Sequence, residues 1–260
     1  MTDAPADGPG TVEPLELPER PFTARNIADY AQCPQKFLLS WFVPREETRR
    51  FLGGPATLHQ AVRDALVDCF RAGGPDAVPP ARVEAAFEEA FDGSACADSL
   101  EEEQLHARGL RMLRDVHAAQ RGSGAQIMAV DLRMEIALGD HRFVAVADAV
   151  LREPDGGVNA LRWLTTRRPP SLKEMAESPG WGLLFACARE HFAGEDTSVT
   201  MYSLRAGRGH RVRFREEDLE PLLARLTRAA DRIHVATEFP AQTGQHCRWC
   251  RARSRCPALS

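Results

Sequence analysis

Three cysteines lie close together in the segment "QHCRWCRARSRCP", which spans residues 245–257. Their spacing, Cys-x2-Cys-x5-Cys, brings the thiolates of Cys247, Cys250 and Cys256 within reach of one metal centre, and the neighbouring arginines favour deprotonated sulfur. A fourth ligand must come from elsewhere. Cys33 is the strongest candidate, because Pro34 predicts a helix break that presents the cysteine side chain. The pattern therefore predicts a metal site, and the spacing alone does not distinguish zinc from an iron–sulfur cluster.

The remaining cysteines and the composition bound the class of protein. Cys69 and Cys187 lie in apolar helical patterns that are typical of buried thiols, whereas Cys96 lies in a polar loop. Seven cysteines is an odd number, and the first residues lack the basic start and apolar run of a signal peptide, so we expect reduced thiols in a cytoplasmic protein. No apolar stretch reaches the roughly 18 residues that cross a membrane, which predicts no membrane partner. The acidic, proline-rich residues 1–20 predict a disordered leader, and residues 21–260 a single domain.

The elements that must position these residues follow from a change of period along the chain. Helical spacing predicts two short helices that meet at Cys33, then helices over "GGPATLHQAVRDALVDCFRAGG", residues 80–92 and residues 98–121. Alternating apolar residues then predict a three-stranded meander, with turns at "GD" and "PDGG". A helix near "WGLLFACAREHF", strands at "SVTMYSLRAG" and "HRVRFR", and a helix over 215–237 precede the cysteine tail. This order predicts an α/β fold with a central mixed sheet flanked by helices, an N-terminal helical region and a C-terminal cysteine tail.

Several of these segments together resemble a known nuclease family. "TARNIADYAQCPQKFLLSWF", "GPATLHQAV", the meander and "FPAQTGQHCRWCRARSRCP" are similar to the RecB-like branch of the PD-(D/E)XK nuclease superfamily. Within it they are closest to the iron–sulfur members, namely the CRISPR-associated exonucleases and the C-terminal nuclease domain of AddB. The resemblance covers residues 22–257 and implies a restriction-endonuclease-like core. It also implies a [4Fe-4S] cluster that joins the two chain ends through Cys33, Cys247, Cys250 and Cys256.

The resemblance further implies where a metal-dependent active site should lie. Nucleases of this superfamily hold Mg²⁺ or Mn²⁺ with a helical histidine, a strand aspartate and a carboxylate in the next strand, followed two residues later by a lysine. His59 matches the histidine, and Asp148 in "FVAVADAVL" matches the strand aspartate, although Ala145 replaces the usual glycine. Taken without the resemblance, His59 is typical of a core histidine. Asp148 is a carboxylate on an apolar strand and needs a partner.

The second carboxylate and the lysine are missing. The family's strand "D-y-K-T" matches "LRWLTT", which places Arg162 at the carboxylate and Leu164 at the lysine. A guanidinium at this position repels a divalent cation. The family's "Q-x-x-x-Y" motif, which matches Trp181 to Phe185, has also lost its glutamine. We therefore predict a catalytically degenerate nuclease-like protein in which Arg162 pairs with Asp148.

The alternative is an active metal-dependent exonuclease that combines His59 and Asp148 with relocated residues. Lys173, Glu174 and Glu177 follow the strand closely and are the candidates, although they are equally typical of solvated charges. A third possibility is a structural subunit without a role on DNA.

Arginines are the candidate DNA contacts, since the chain has only two lysines. Along "HRVRFR" they alternate with apolar residues, which favours one row of guanidiniums on a sheet face for phosphate contacts. The same row is also expected if it is merely a solvated face paired with "EEDLEP". We expect Trp249 to cover the metal site or to stack on a base. Predicted partners are single-stranded DNA or DNA ends and a helicase, repair or CRISPR protein. The candidate DNA-binding residues are Arg205, Arg208, Arg211, Arg213 and Arg215, with further basic side chains at Arg167, Arg168, Arg248, Arg251, Arg253 and Arg255.

Overall fold

The computed structural model describes residues 19–42 and 53–259 of the 260-residue chain. Residues 1–18 of the expected leader lie outside the described residues. The described residues form eight α-helices and five strands. The helices are α1 (Ala24–Gln32), α2 (Pro34–Phe42), α3 (Gly54–Arg71), α4 (Pro80–Ala90), α5 (Ser99–Gln120), α6 (Leu172–Ala176), α7 (Pro179–His191) and α8 (Glu216–His234). The strands are β1 (Gln126–Leu138), β2 (His141–Arg152), β3 (Val158–Leu164), β4 (Thr197–Ser203) and β5 (Arg208–Val212).

The strands form one mixed sheet in the order β1-β2-β3-β4-β5. Neighbouring strands are antiparallel except β3 and β4, which are parallel. The exception follows from the connection, because α6 and α7 come between β3 and β4 in the chain and form a crossover instead of a hairpin. The predicted α/β fold with a central mixed sheet and flanking helices is confirmed.

Helices cover both faces of the sheet and form two buried clusters. On one face α1, α2, α7 and α8 pack around Phe37, Phe143 and Leu183. On the other face α3, α4 and α5 pack around Phe87 and Trp163. In α3 the apolar residues recur at helical spacing, with Leu58, Val62, Leu66 and Cys69 buried, and this spacing turns the helix toward the sheet.

The predicted break at Cys33 is present. Thr23 caps α1 by accepting a hydrogen bond from the Asn26 backbone N–H at 3.0 Å. Cys33 ends this helix in an extended conformation, and Pro34 begins α2. A proline disfavours the helical conformation of the residue before it, so the chain turns at the cysteine.

The last strand is shorter than the sequence pattern predicts. β5 ends at Val212, and Phe214 is 7% exposed with its ring centroid 5.3 Å from that of Phe185. Burial of this phenylalanine draws the chain away from the sheet edge. Arg213 therefore follows the strand and Arg215 is the N-cap of α8, so the expected row of strand arginines does not form.

Within the part of the chain that the structure describes, no helix combines the length and apolar character that a membrane span requires.

Candidate functional site

The expected active site coincides with a fork between β2 and β3. Backbone pairing between these strands runs from Arg152↔Val158 to Ala149↔Leu161 and then stops. Asp148 and Arg162 are the next residues on either side of the last pair. Beyond the fork, Arg162 fills the gap by donating from Nη1 to the Val146 carbonyl at 2.8 Å.

Asp148 is fully buried, and both of its carboxylate oxygens accept hydrogen bonds. Oδ1 accepts from Arg63 Nε at 2.7 Å. Oδ2 accepts from Arg162 Nε at 3.1 Å and from the backbone N–H of Trp163 at 2.8 Å. The pairing of Arg162 with Asp148 that the sequence predicted is therefore present. The carboxylate accepts from the Trp163 N–H, which has no partner in β2. Its buried negative charge is balanced by the guanidiniums of Arg63 and Arg162.

Arg63 was not predicted from the sequence, and it joins two strands at this point. It reaches from α3 to Asp148 and also pairs with Asp131 in β1. Burial lowers the pKa of Arg63, but the charge of Asp148 and hydrogen bonds to both carboxylates outweigh burial and leave the pKa above its ordinary value. The only signal in the sequence is spacing, since Arg63 lies one helical turn after His59 on α3.

The two aspartates occupy matching irregular positions in neighbouring strands. The pairs Val130↔Ala149 and Leu132↔Ala147 place Asp131 opposite Asp148. Asp131 has φ +53°, the left-handed region that a short polar side chain tolerates better than most. On one side of this pair of aspartates, Leu132 and Ala147 face the core cluster around Phe37 and Phe143. On the other side, Val130 and Ala149 face the cluster around Phe87 and Trp163. The alternation of both strands therefore shifts by one residue where Arg63 crosses them.

His59 lies beside this network but does not contact Asp148 directly. Its Nδ1 is 3.2 Å from Thr165 Oγ1, just after β3. Burial lowers the pKa of His59 below its ordinary value of 6.5, the charge of Asp148 acts in the opposite direction, and Arg162 and Arg63 lower it further. The imidazole is thus held neutral beside two cations.

The lowered pKa of His59 predicts that acidification destabilises the protein. As the pH falls below about 6.5, the unfolded chain binds a proton that the folded His59 resists, so the free energy of unfolding decreases. We expect His59→Gln to make the melting temperature less sensitive to pH between 7.5 and 5.5. Melting curves across that range provide the measurement, and an equal pH dependence in the parent and the variant would contradict the prediction.

The other expected catalytic positions carry no replacement groups. Leu164, at the lysine position, ends β3, and Trp181 and Phe185 pack against the core as part of α7. Lys173 on α6 pairs with Glu177 at 3.8 Å. Glu174 accepts from Arg168 at 3.3 Å and caps its own helix at Ser171. These charges are satisfied by one another, away from the fork.

The residues at the fork do not fit a divalent cation. A hard cation needs several free oxygen ligands. Here both oxygens of Asp148 are bound by N–H groups, and the second ligand position carries the positive charge of Arg162.

The four candidate metal-ligating cysteines line one cavity between the N-terminal helices and the C-terminal segment. Cys33, Cys247, Cys250 and Cys256 line it together with Lys36. Burial raises the pKa of Cys250, and the neighbouring Lys36 lowers it, while Cys33 and Cys247 raise it. Among the described residues no three His, Cys, Asp or Glu side chains converge closely enough to hold a single metal ion.

The cavity forms because the C-terminal segment docks on the break between α1 and α2. The Gln35 N–H donates to the Pro240 carbonyl at 3.3 Å, and the Gln242 N–H donates to Cys33 Sγ at 3.4 Å. Phe239 is buried against Phe37, with ring centroids 6.0 Å apart. The Gly244 N–H donates to Cys247 Sγ at 3.4 Å. Backbone donors thus point at the sulfurs, as they do around thiolate-ligated clusters, so the donor set fits an iron–sulfur group.

The remaining cysteines and Trp249 lie away from this cavity. Cys69 and Cys187 are buried in α3 and α7, and burial raises the pKa of Cys69 to about 11 and of Cys187 to about 12. Cys96 follows a short turn after α4. The expectation that Trp249 covers the cysteines is wrong, because this side chain is 84% exposed and does not line the cavity.

Most of the candidate DNA-binding arginines are paired with acidic side chains. Arg211 pairs with Glu153, and Arg213 pairs with Asp196 at 2.7 Å. Arg215 contacts Asp218 at 2.9 Å within "EEDLEP". Arg205 differs, since it donates from Nε to the Thr165 carbonyl at 2.9 Å and lies near the fork. Arg208 begins β5, and no ion pair holds it within the described part of the chain.

Comparison with known proteins gives a family and several solved structures, two of which are described here. The family model described as "PD-(D/E)XK nuclease superfamily" matches residues 21–257. The chain is similar to a "Putative exonuclease" from Eubacterium rectale, with 10% identity, a TM-score of 0.51 and coverage of 88% of this chain and 87% of that chain. It also aligns with the crystal structure of SSO0001, with 14% identity, a TM-score of 0.37 and coverage of 79% and 96% of the two chains. No curated protein matches the chain.

Proposed function

The chain belongs to the PD-(D/E)XK nuclease superfamily, and on that premise we propose that it is a catalytically degenerate member that binds DNA without hydrolysing it. The family match also confirms that the mixed sheet is the restriction-endonuclease-like core predicted from the sequence. The proposal covers residues 21–260 as one domain of the RecB-like branch. It assigns the protein to DNA repair, recombination or CRISPR-type processing beside a partner such as a helicase.

One observation carries the loss of catalysis. Phosphodiester hydrolysis in this superfamily needs carboxylate oxygens that hold a metal ion and its activated water. The buried Asp148 gives both oxygens to N–H donors, two of them on arginines. A metal ion would have to displace two guanidiniums and then lie next to their charges. Their repulsion of the ion outweighs the attraction of the single Asp148 carboxylate.

The cysteine cavity supports a retained [4Fe-4S] cluster held by Cys33, Cys247, Cys250 and Cys256. The cavity walls supply four thiols, with backbone N–H groups directed at two of them. A cluster bound there would tie the C-terminal segment to the N-terminal helices and would carry no part of a hydrolytic reaction. Zinc is the alternative that the cysteine spacing leaves open, and iron and zinc analysis of anaerobically purified protein distinguishes the two.

DNA is proposed as the ligand because the fold belongs to a nuclease superfamily and because the structural relative from Eubacterium rectale bears the name of an exonuclease. Loss of a metal site removes cutting but leaves the shape and the basic side chains of a strand-binding surface. Binding through phosphate contacts weakens as salt is added, which gives the proposal a direct readout.

The deciding experiment is a cleavage assay on end-labelled single- and double-stranded DNA with Mg²⁺ or Mn²⁺. We expect no cleavage by the parent and none by Asp148→Ala, and salt-sensitive retention of the single strand by the parent on a gel. The matched control is a protein of the same preparation with Arg114→Ala, an exposed side chain that pairs with Glu84 and is not a candidate DNA contact.

Cleavage that persists in Arg114→Ala and disappears in Asp148→Ala would establish an active exonuclease and reject the proposal. A parent that neither cuts nor retains DNA would leave the structural-subunit hypothesis as the better account.

A further inference from the structure

Three arginines gather at the carboxyl ends of β3 and β4, next to the fork. Arg167 follows β3, Arg205 follows β4, and Arg108 lies on α5. The two strands are parallel, so their carboxyl ends meet at one edge of the sheet. The positive charge of this cluster, Arg108–Arg167–Arg205, has no part in the network around Asp148.

Hydrogen bonds fix Arg205 beside the histidine of the fork. The Leu204 N–H donates to the Leu164 carbonyl at 2.9 Å and continues the strand pairing by one residue. Arg205 then donates from Nε to the Thr165 carbonyl at 2.9 Å, and Thr165 Oγ1 is 3.2 Å from His59 Nδ1. The Arg205 guanidinium is thus held through its Nε–H, and within the described residues no other partner takes its remaining N–H groups, which a ligand can accept from.

α5 brings Arg108 to the same place. Leu105 and Met112 of this helix share a buried cluster with Tyr202 and Leu204 of β4 and its extension. The charge of Asp115 acts on Tyr202, and the charge of Arg108 acts on Arg205. Arg108 lies about one turn from Leu105 and from Met112 on the same side of α5, so the helix presents it at this end of the sheet.

The charge of the cluster is uncompensated within the described residues. Burial lowers the pKa of Arg205, and the charges of Arg108 and Arg167 lower it further. No carboxylate within salt-bridge distance of Arg108, Arg167 or Arg205 is found in residues 19–42 and 53–259. In contrast, Arg63 and Arg162 are neutralised by Asp148 and Asp131, and Arg211 and Arg213 each hold an acidic partner.

We propose that Arg108, Arg167 and Arg205 bind a backbone phosphate of a DNA strand beside the fork. This inference rests on the proposed function and deepens it by locating the contact. Guanidiniums present paired N–H donors that match phosphate oxygens, and three neighbouring cations without an acidic partner in the described residues favour an anion. The phosphate is held without a metal ion, in contrast to a nuclease site, where a metal ion contacts the scissile phosphate.

Metal-independent binding gives the inference its test. Fluorescence anisotropy with a labelled single-stranded oligonucleotide, in EDTA and over a range of salt concentrations, compares the parent with Arg108→Ala/Arg167→Ala. Neither side chain makes a hydrogen bond or an ion pair within the described part of the chain, and melting curves verify that the variant folds. The matched control is Arg211→Ala/Arg213→Ala, which removes the same number of charges from the paired arginines.

We expect the parent to bind in EDTA. One phosphate contact to a single strand contributes about 0.7 to the slope of log K against log salt, so the cluster variant, which loses that contact, should lose about 0.7 and bind roughly 5-fold more weakly at 0.1 M salt. The control should bind within about twofold of the parent, since its charges are already neutralised.

Three results would overturn the inference. Parent-like binding by the cluster variant with a loss in the control would move the contact to β5 and leave the proposed function standing. Binding that EDTA abolishes would show a metal-mediated contact. Absence of binding by the parent would reject both this inference and the proposed DNA-binding function.

Discussion

Asp148→Ala should destabilise the protein by about 3–5 kcal/mol, the cost of removing one partner from a buried ion pair. The substitution leaves the side chains of Arg63 and Arg162 without their shared carboxylate and orphans the Trp163 N–H inside the sheet. Because the side chain of Asp148 is 1% exposed, water cannot replace the lost acceptor. Urea denaturation followed by circular dichroism measures the change, with no expected change in the dependence on urea concentration.

A surface pair of similar geometry serves as the control. Glu84 accepts two hydrogen bonds from Arg114, at 2.7 and 2.8 Å, on the exposed faces of α4 and α5. Glu84→Ala should cost no more than about 1 kcal/mol, since both partners are hydrated after the change. A loss at Asp148 no larger than the loss at Glu84 would show that the carboxylate is not paired as the structure describes.

Mg²⁺ provides an independent check on the same carboxylate. A ligand that binds only the folded state raises the melting temperature. We expect none of this stabilisation in the parent, because the Asp148 oxygens already accept from Arg63, Arg162 and Trp163. A rise in the parent that Asp148→Ala abolishes would return this residue to the role of metal ligand.

Cys250→Ala should remove most of the bound iron and cost about 5 kcal/mol, the chain entropy that a cross-link closing a loop of about two hundred residues takes from the unfolded state. The loop is set by the contact between Cys33 and Gln242, which are 209 positions apart. Without the proposed cluster the C-terminal segment is held by non-covalent contacts, among them the packing of Phe239 and the hydrogen bond from the Gln35 N–H to the Pro240 carbonyl. Iron analysis and melting curves of anaerobically purified protein measure both effects.

The control for this prediction is Cys96→Ser, outside the cavity on a turn after α4. It should retain the iron content and the melting temperature of the parent. Equal iron in Cys250→Ala and Cys96→Ser would reject the cluster, and an equal melting temperature in both would reject its role as a cross-link between chain segments.

The sequence predicted the parts of the site that depend on local pattern. Helical and strand periods located α3, β2 and β3, and the match to a nuclease motif placed Arg162 opposite Asp148. Arg63 and Asp131 were not predicted, because Arg63 contacts Asp131 and Asp148 over separations of 68 and 85 positions. The shift of both strands at this level is likewise invisible to a pattern of alternating residues, since it depends on a left-handed conformation at Asp131.

The arginine row shows how tertiary packing overrides a local pattern. Alternation through "HRVRFR" predicted a continued strand, and Phe214 instead packs against Phe185 and ends the pairing at Val212. The sequence named Arg167 and Arg205 as candidate DNA contacts, but it missed Arg108 and the grouping of the three for the converse reason. Its members come from a helix and two loops that only the folded sheet brings together.

The separation between Cys33 and the C-terminal cysteines also sets the order of events during synthesis. Cys33 leaves the ribosome 209 positions before Gln242, whose N–H donates a hydrogen bond to the Cys33 sulfur. At about 5–20 residues per second, its thiol waits roughly 10–40 s for the other wall of the cavity. The cavity cannot assemble on the nascent chain until Cys256 has emerged. Any iron–sulfur delivery must therefore follow translation of the whole nuclease-like core, and in that interval Cys33 depends on the reducing conditions of its compartment.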